Sequence, residues 1–230
     1  MRGLLFVLSL VLVSFSTVPS PEKMPSFSLS EAQFHFQKLT AQSRCYPSWS
    51  CFAYAEQGYQ KLVALGKINN PYLTVIDFSL PSTQKRLWVI DMQQLKVVQH
   101  TYVAHGRNSG WITPTEFSNT PESQQSSLGF YLTGGTYFGK HGLAMKLKGM
   151  EPGFNDKAAE RAIVMHGATY VSAQHIQRHQ RLGRSQGCPA LSQPDAQVII
   201  PTIQNGSCLF IYAPQNSYLE QSTFIAQQSI

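Results

Sequence analysis

A short hydrophobic run at the start of the chain stands apart from everything that follows it. Residues 4–13 are apolar apart from one serine, Arg2 precedes them, and serines and prolines follow as far as Pro21. A membrane-spanning helix needs roughly 20 apolar residues, so this run is too short to cross a bilayer. Its order is typical of a cleaved secretory signal. We therefore predict a signal peptide over residues 1–20, with a short buried helix as the alternative.

The next part of the chain carries hydrophobic residues at helical spacing. The intervals 34–39 and 52–65 show this period, and Ser28 is a typical helix-starting residue. The proline-containing stretch 44–50 separates the two intervals and predicts a loop. We therefore expect residues 21–69 to form a linker followed by a helical segment.

From Asn70 onward, short runs rich in β-branched and aromatic residues replace the helical pattern. We predict strands at 72–78, 86–91, 96–104, 128–132, 161–165 and 208–212. Brief helical patterns occur at 173–181 and 196–203. Together these elements predict a mainly β fold, a β-sandwich or mixed sheet with one or two packed helices. We assign this domain to residues 70–213 and a C-terminal tail to 214–230.

Composition and charge narrow the class of partner. The chain has 230 residues, 43% of them hydrophobic, which fits one folded domain. Lys and Arg number 18 against 12 Asp and Glu, and a basic chain favours acidic polymers. The sequence has no run of basic residues and no nucleic-acid motif, which argues against nucleic acid. It has no second apolar segment, so we expect an exported protein of the periplasm or cell envelope without a stable membrane anchor.

The four cysteines suggest different roles. Cys188 lies in a Ser-Gln-Gly-Cys-Pro turn, which favours an accessible thiol, whereas Cys208 opens an apolar run and is expected to be buried. Cys45 and Cys51 flank a loop, so a local disulfide between them is an open alternative in an oxidising compartment. A disulfide between Cys188 and Cys208 is the alternative that would remove the accessible thiol.

Cys188 needs a base to become a nucleophile, and His166 is the candidate. Free cysteine titrates near roughly 8.5, and a neighbouring imidazole lowers that value. His166 ends an apolar run, so the fold would deliver its ring at a strand end, and with Cys188 it matches a Cys–His pair. Gly187 has access to dihedral angles closed to other residues. The amides of Gly187 and Cys188 are therefore candidate donors to an oxyanion.

Several blocks of the sequence together resemble one enzyme family. His166-Gly167, followed 22 residues after His166 by Cys188 in Ser185-Gln186-Gly187-Cys188, is similar to the His-Gly…Ser-x-Gly-Cys motif of the YkuD-type L,D-transpeptidases. Other blocks resemble a divergent branch, the murein L,D-transpeptidase catalytic domains: LTVIDFS at 73–79, AHGRNSG at 104–110, SSLG at 126–129 and GRSQGCPA at 183–190. The resemblance covers roughly residues 70–213, with the helical segment as an N-terminal part of the same unit.

The resemblance implies acyl transfer on peptidoglycan stem peptides. The family's cysteine attacks the carbonyl between the L-centre of meso-diaminopimelate and D-Ala, and an amine or water then resolves the thioester. The matching residues here are Cys188 as nucleophile, His166 as base and Ser185 as the residue that orders the turn. Arg184 is our own candidate clamp for a stem carboxylate, with a solvated surface charge as the alternative. We expect the substrate groove to be lined also by Gly167, His105 and Gln186.

Two departures from the better-known branch leave the acyl acceptor open. Gln186 stands where that branch has His, and Ala190 where it has a polar residue. The alternatives are transpeptidation to an amine and an L,D-carboxypeptidase reaction with water. A non-catalytic wall-binding module is a third alternative, against which the intact Cys188 and His166 argue. The resemblance also implies acylation of Cys188 by carbapenem-type inhibitors, and we expect no cofactor, no metal and a monomer.

Other histidines and aromatic residues receive structural interpretations. His175 and His179 lie four residues apart, on one face of a helix, as a metal pair would. No Glu follows His175, as the zinc-peptidase motif requires, so we expect a surface helix and keep a metallohydrolase using both with His166 as a distant alternative. His141 is expected to form a turn. Core or rim positions are expected for Trp88, Trp111, Tyr131 and Tyr137.

Overall fold

One mixed β-sheet forms the centre of the structure, a computed structural model that describes residues 28–140 and 142–225. Within these residues its strands are β1 (Tyr72–Asp77), β2 (Leu87–Asp91), β3 (Lys96–Thr101), β4 (Gly129–Gly139), β5 (Gly142–Gly149), β6 (Val164–Gly167), β7 (Ala190–Leu191) and β8 (Cys208–Tyr212). The helices are α1 (Leu29–Gln42), α2 (Trp49–Ala64), α3 (Ala173–His179), α4 (Gln193–Ile203) and α5 (Asn216–Gln221).

The strand order β3-β2-β1-β8-β4-β5-β6-β7 brings the two ends of the domain together in the middle of the sheet. β1 pairs with β8 in parallel, with Leu73 opposite Cys208. β6 pairs with β7 in parallel, with His166 opposite Ala190. All other neighbouring pairs are antiparallel. The two motifs singled out from the sequence therefore lie on adjacent strands at one end of the sheet.

The central strands are buried along nearly their whole length. Every residue of β2 and β8 is buried, as in strands that are covered on both faces. The helices provide this cover, since α2 packs against β1 and β8, and α4 packs against β4, β5 and β6. Phe52 of α2, Phe210 of β8 and Ile200 of α4 are completely buried in the resulting core.

Serine side chains determine where four of the helices begin. The hydroxyls of Ser28, Ser48, Ser172 and Ser192 each accept a hydrogen bond from the backbone N–H three residues later, at the starts of α1 to α4. Such a cap satisfies an N–H that has no partner inside the helix. α4, which supports β6, is fixed in this way at the end that lies next to β7.

The structure confirms the predicted fold class in its mixed-sheet form, with packed helices and a preceding helical segment. The predicted strands correspond to β1, β2, β3, β4, β6 and β8. β5, β7 and α5 were not predicted, and α5 lies inside the expected C-terminal tail. The predicted signal peptide at 1–20 lies outside the described residues. Among the helices of residues 28–140 and 142–225, none is long and apolar enough to cross a membrane.

Candidate active site

The turn that carries Cys188 is held by a serine hydroxyl. Ser185 Oγ donates a hydrogen bond to the carbonyl oxygen of Cys188 at 2.6 Å and accepts one from the Gly187 N–H at 3.0 Å. Gly187 has φ +121°, and a Cβ there would lie 2.8 Å from the carbonyl oxygen of Gln125. A side chain at this position is excluded both by backbone strain and by lack of space.

The Cys188 thiol lies against the chain that leads into β6. The Val164 N–H donates to Sγ at 3.5 Å, and the thiol lies 3.8 Å from the carbonyl oxygen of Ala162. Burial raises the pKa of the Cys188 thiol, while the Val164 N–H and the positive charge of Arg161 oppose that rise. Burial is the largest of these effects, so the net result is a raised pKa of the thiol.

His166 lies in β6, two residues after Val164, whose N–H contacts Sγ. His166 Nδ1 is 2.9 Å from the carbonyl oxygen of Gly167, a contact that favours the tautomer with its proton on Nδ1. His166 and Cys188 border one cavity of about 890 Å³.

Arg161 belongs to this site, although sequence reasoning placed it only at the start of a strand. It donates from Nη1 to the Ser118 carbonyl oxygen at 2.6 Å, and from Nη2 to that of Gln125 at 2.5 Å. Both acceptors lie in the loop 118–127, which borders the Cys188 turn. The guanidinium thus fixes this loop and places a positive charge close to the thiol. The position of Arg161 in the sequence indicates neither its contacts with this loop nor its closeness to the thiol.

The expected substrate-binding residues divide into two groups. Arg184 and Gln186 border the cavity, and Gln186 is exposed. Gly167 is buried, and a Cβ there would lie 2.5 Å from Gln193 Oε1 of α4. Gly167 therefore faces a helix on the side where a side chain would stand, and its contact with the substrate stays a prediction.

His105 is buried and contacts the loop that contains Gly110, and its expected place in the groove stays a prediction. It is 1% exposed. Arg86 Nη2 donates to its Nδ1 at 2.7 Å, and its Nε2 donates to the Gly110 carbonyl oxygen at 3.3 Å. Burial and then the Arg86 charge lower the pKa of His105 to about 3. A neutral ring with these two bonds fixes the loop that contains Gly110.

The expected oxyanion donors are not equivalent in this conformation. The Gly187 N–H points to Ser185 Oγ. The Cys188 N–H lies by its own thiol, where it favours the thiolate. Of the two amides, that of Cys188 is the one that faces the reacting sulfur.

All four cysteines are free thiols in the structure. The alternative disulfides, between Cys45 and Cys51 and between Cys188 and Cys208, are therefore not formed.

The rings of His175 and His179 lie 4.3 Å apart on α3. The described part of the chain contains no group of three metal-ligating side chains. His141 lies outside the described residues.

The chain is similar to known proteins at the level of a family model and of solved structures. The model of the L,D-transpeptidase catalytic domain family matches residues 44–212, and no curated protein matches the chain. Similar solved structures include an L,D-transpeptidase in complex with imipenem (11% identity, TM-score 0.38) and one from Mycobacterium smegmatis (12%, 0.39); both alignments cover 62% of this chain and 59% of theirs. A third, from Xylanimonas cellulosilytica, is 12% identical with a TM-score of 0.36, and the alignment covers 86% of this chain and 100% of that one.

The family match extends over well more than half of the chain and includes α2, the whole sheet and both motif segments. This chain belongs to the L,D-transpeptidase catalytic domain family.

Proposed function

We propose that this protein is a peptidoglycan L,D-transpeptidase that works through a thioester on Cys188. The observation that supports this best is that the Cys188 thiol, in contact with the Val164 N–H of β6, borders the same cavity as His166. The proposal includes export to the cell envelope, where the substrate is found.

In the first step, His166 acts as general base. Burial raises the pKa of the thiol, so the proton leaves as the sulfur attacks, moving to Nε2 of His166. The sulfur bonds to the carbonyl carbon between meso-diaminopimelate and D-Ala, and the Cys188 N–H stabilises the oxyanion. The C–N bond then breaks, and the amine of D-Ala leaves with the proton from His166.

In the second step, an acceptor amine attacks the thioester carbon. His166 removes a proton from that amine, the C–S bond breaks, and Cys188 leaves as the thiolate and is reprotonated. The product is a cross-link between two stems. With water in place of the amine, the same steps release a tripeptide and make the protein an L,D-carboxypeptidase.

Incubation of the mature protein with purified tetrapeptide-stem muropeptides tests the reaction. We expect a cross-linked dimer and free D-Ala, detected by mass spectrometry. If a tripeptide forms and no dimer does, the reaction is hydrolysis and not transfer. The Cys188→Ala variant should keep its melting temperature and lose all product, because no other thiol faces the cavity in the described part of the chain. If the protein with reduced Cys188 shows no turnover, both the transpeptidase and the carboxypeptidase are excluded, and a wall-binding module is the remaining alternative.

A carbapenem should acylate Cys188. The β-lactam carbonyl is an acyl donor for a thiolate, and ring opening adds the whole inhibitor mass to the protein. Intact-mass analysis should show one adduct on the wild-type protein and none on Cys188→Ala. The buried Cys51 and Cys208 provide internal controls, and an adduct mapped to either of them would contradict the assignment.

A further inference from the structure

Three arginines and a tryptophan form a cluster at the rim of the cavity. The guanidinium carbons of Arg181 and Arg184 lie 4.1 Å and 4.5 Å from the ring centre of Trp111. Arg184 Nη1 donates to the carbonyl oxygens of Arg107 at 2.8 Å and Gly110 at 2.9 Å. Arg107 and Arg184 both border the cavity that holds Cys188. We call Arg107, Trp111, Arg181 and Arg184 the arginine cluster.

The positive charges of the arginine cluster have no acidic partner. Within residues 28–140 and 142–225, the ion pair that the structure contains is that of His35 with Glu56, on the N-terminal helices. Burial lowers the pKa of Arg184, and the neighbouring charges of Arg181 and Arg107 lower it further. The buried Nε of Arg181 has no hydrogen-bond partner in the described structure. Like charges held together in this way favour an anionic ligand.

The other charged groups around the cavity do not compensate the cluster. Lys140 and Arg161 add two positive charges, and Glu122 and Glu160 add two negative ones. Neither glutamate forms an ion pair with an arginine in the described residues. Arg161 uses its donors on the loop 118–127. Free guanidinium donors therefore concentrate on the side of the cavity formed by Arg107 and Arg184.

We propose that the arginine cluster is a carboxylate subsite for the acyl-donor stem, and that it selects stems with a free carboxylate over amidated ones. This inference rests on the proposed function. A guanidinium presents paired N–H donors that match both oxygens of a carboxylate, which a carboxamide cannot reproduce. Trp111 holds Arg181 and Arg184 by cation–π contacts, so their side chains are already ordered before the ligand arrives.

The test compares two synthetic tetrapeptides ending in meso-diaminopimelyl-D-Ala, one with free carboxylates and one with both the diaminopimelate and the D-Ala carboxyl groups amidated. Binding is measured by calorimetry on the Cys188→Ala protein, so that no turnover interferes. Arg107→Gln is the main variant, because its exposed side chain forms no hydrogen bond in the described structure. Arg178→Gln is the matched control, since it removes one positive charge from α3, outside the cluster.

We expect the free-carboxylate peptide to bind at least about tenfold more tightly than the amidated one, a difference of about 1.4 kcal/mol. Arg107→Gln and Arg184→Gln should remove most of this preference, whereas Arg178→Gln should keep it. Equal binding of the two peptides, no binding of either, or equal losses in Arg107→Gln and Arg178→Gln would overturn the proposal.

Turnover of the same peptides by the protein with intact Cys188 separates the two proposals. Preferential binding without any product would contradict the proposed function and leave the subsite standing. If both peptides bind equally well and form product at equal rates, the carboxylate subsite is contradicted and the proposed function is supported.

Discussion

At the scale of single residues, opposing effects act on the pKa of the Cys188 thiol. Burial raises the pKa of the thiol, and the nearby charge of Arg161 and the Val164 N–H oppose this. The better-known branch of the family has a histidine at the position of Gln186. Here a guanidinium from the chain that leads into β6 supplies positive charge close to the same turn.

Removal of the Arg161 charge should therefore raise the pKa of Cys188 further. We expect Arg161→Gln to shift the pH dependence of iodoacetamide alkylation to higher pH, because the thiolate loses a favourable charge. Arg161→Lys keeps the charge but loses the paired donors that hold Ser118 and Gln125, so it should shift the curve less. The measurement is the alkylation rate of Cys188 over a pH series, read by peptide mass spectrometry.

Arg178→Gln again controls for a general change in surface charge and should leave the alkylation curve in place. A curve for Arg161→Gln that coincides with that of the wild type would contradict the electrostatic role. In that case Arg161 would serve only to hold the loop 118–127.

The same residues show what a sequence reveals about a site. Cys188 and His166 were identifiable because a motif and a strand-end position marked them. Arg161 was missed, since its role depends on a loop more than 30 residues earlier in the chain, which folding brings to it. The burial of His105 was not foreseen, because a His-Gly pair looks the same in a groove and beneath a loop. Its burial depends on Arg86, which only the fold places beside it.

At the scale of elements, hydrophobic runs predicted six of the eight strands of the described sheet and missed β5 and β7. β8 was predicted with its observed bounds, because it is buried on both faces. β4 continues well beyond the predicted 128–132, through Gly134-Gly135, where the register with β5 shifts. Glycines normally weaken a strand, so the sequence did not predict that β4 continues past residue 132. β7 has only two residues and exists through its pairing with β6.

At the scale of the whole molecule, one buried carboxyl group joins the sheet to the C-terminal helix. Glu151 accepts hydrogen bonds from the Phe130 N–H of β4 at 2.7 Å, from Tyr218 of α5 at 2.9 Å, and from the Ser222 hydroxyl. Burial raises its pKa, although all three donors oppose the rise. The folded protein therefore prefers the protonated form more than the unfolded chain does.

This preference predicts a pH dependence of stability. A carboxyl group with a raised pKa contributes its full stabilisation below its unfolded value and loses it as the pH rises through the folded value. The melting temperature should fall over that interval. Glu151→Gln imitates the protonated group and should make the melting temperature depend less on pH. Glu116→Gln changes a surface residue and should leave the pH dependence as it is. Melting curves measured from acidic to neutral pH test this, and parallel curves for the wild type and Glu151→Gln would contradict it.

The pairing of β1 with β8 has a consequence for how the chain folds. The two strands come from opposite ends of the domain, and β8 lies between β1 and β4, where it joins the strands β1–β3 to the strands β4–β7. Contacts between such distant segments form slowly, because a long loop must close before they are made. During synthesis β8 leaves the ribosome after the other seven strands of the described sheet. Until then β1 and β4 each lack the neighbour that joins the two groups of strands in the folded protein.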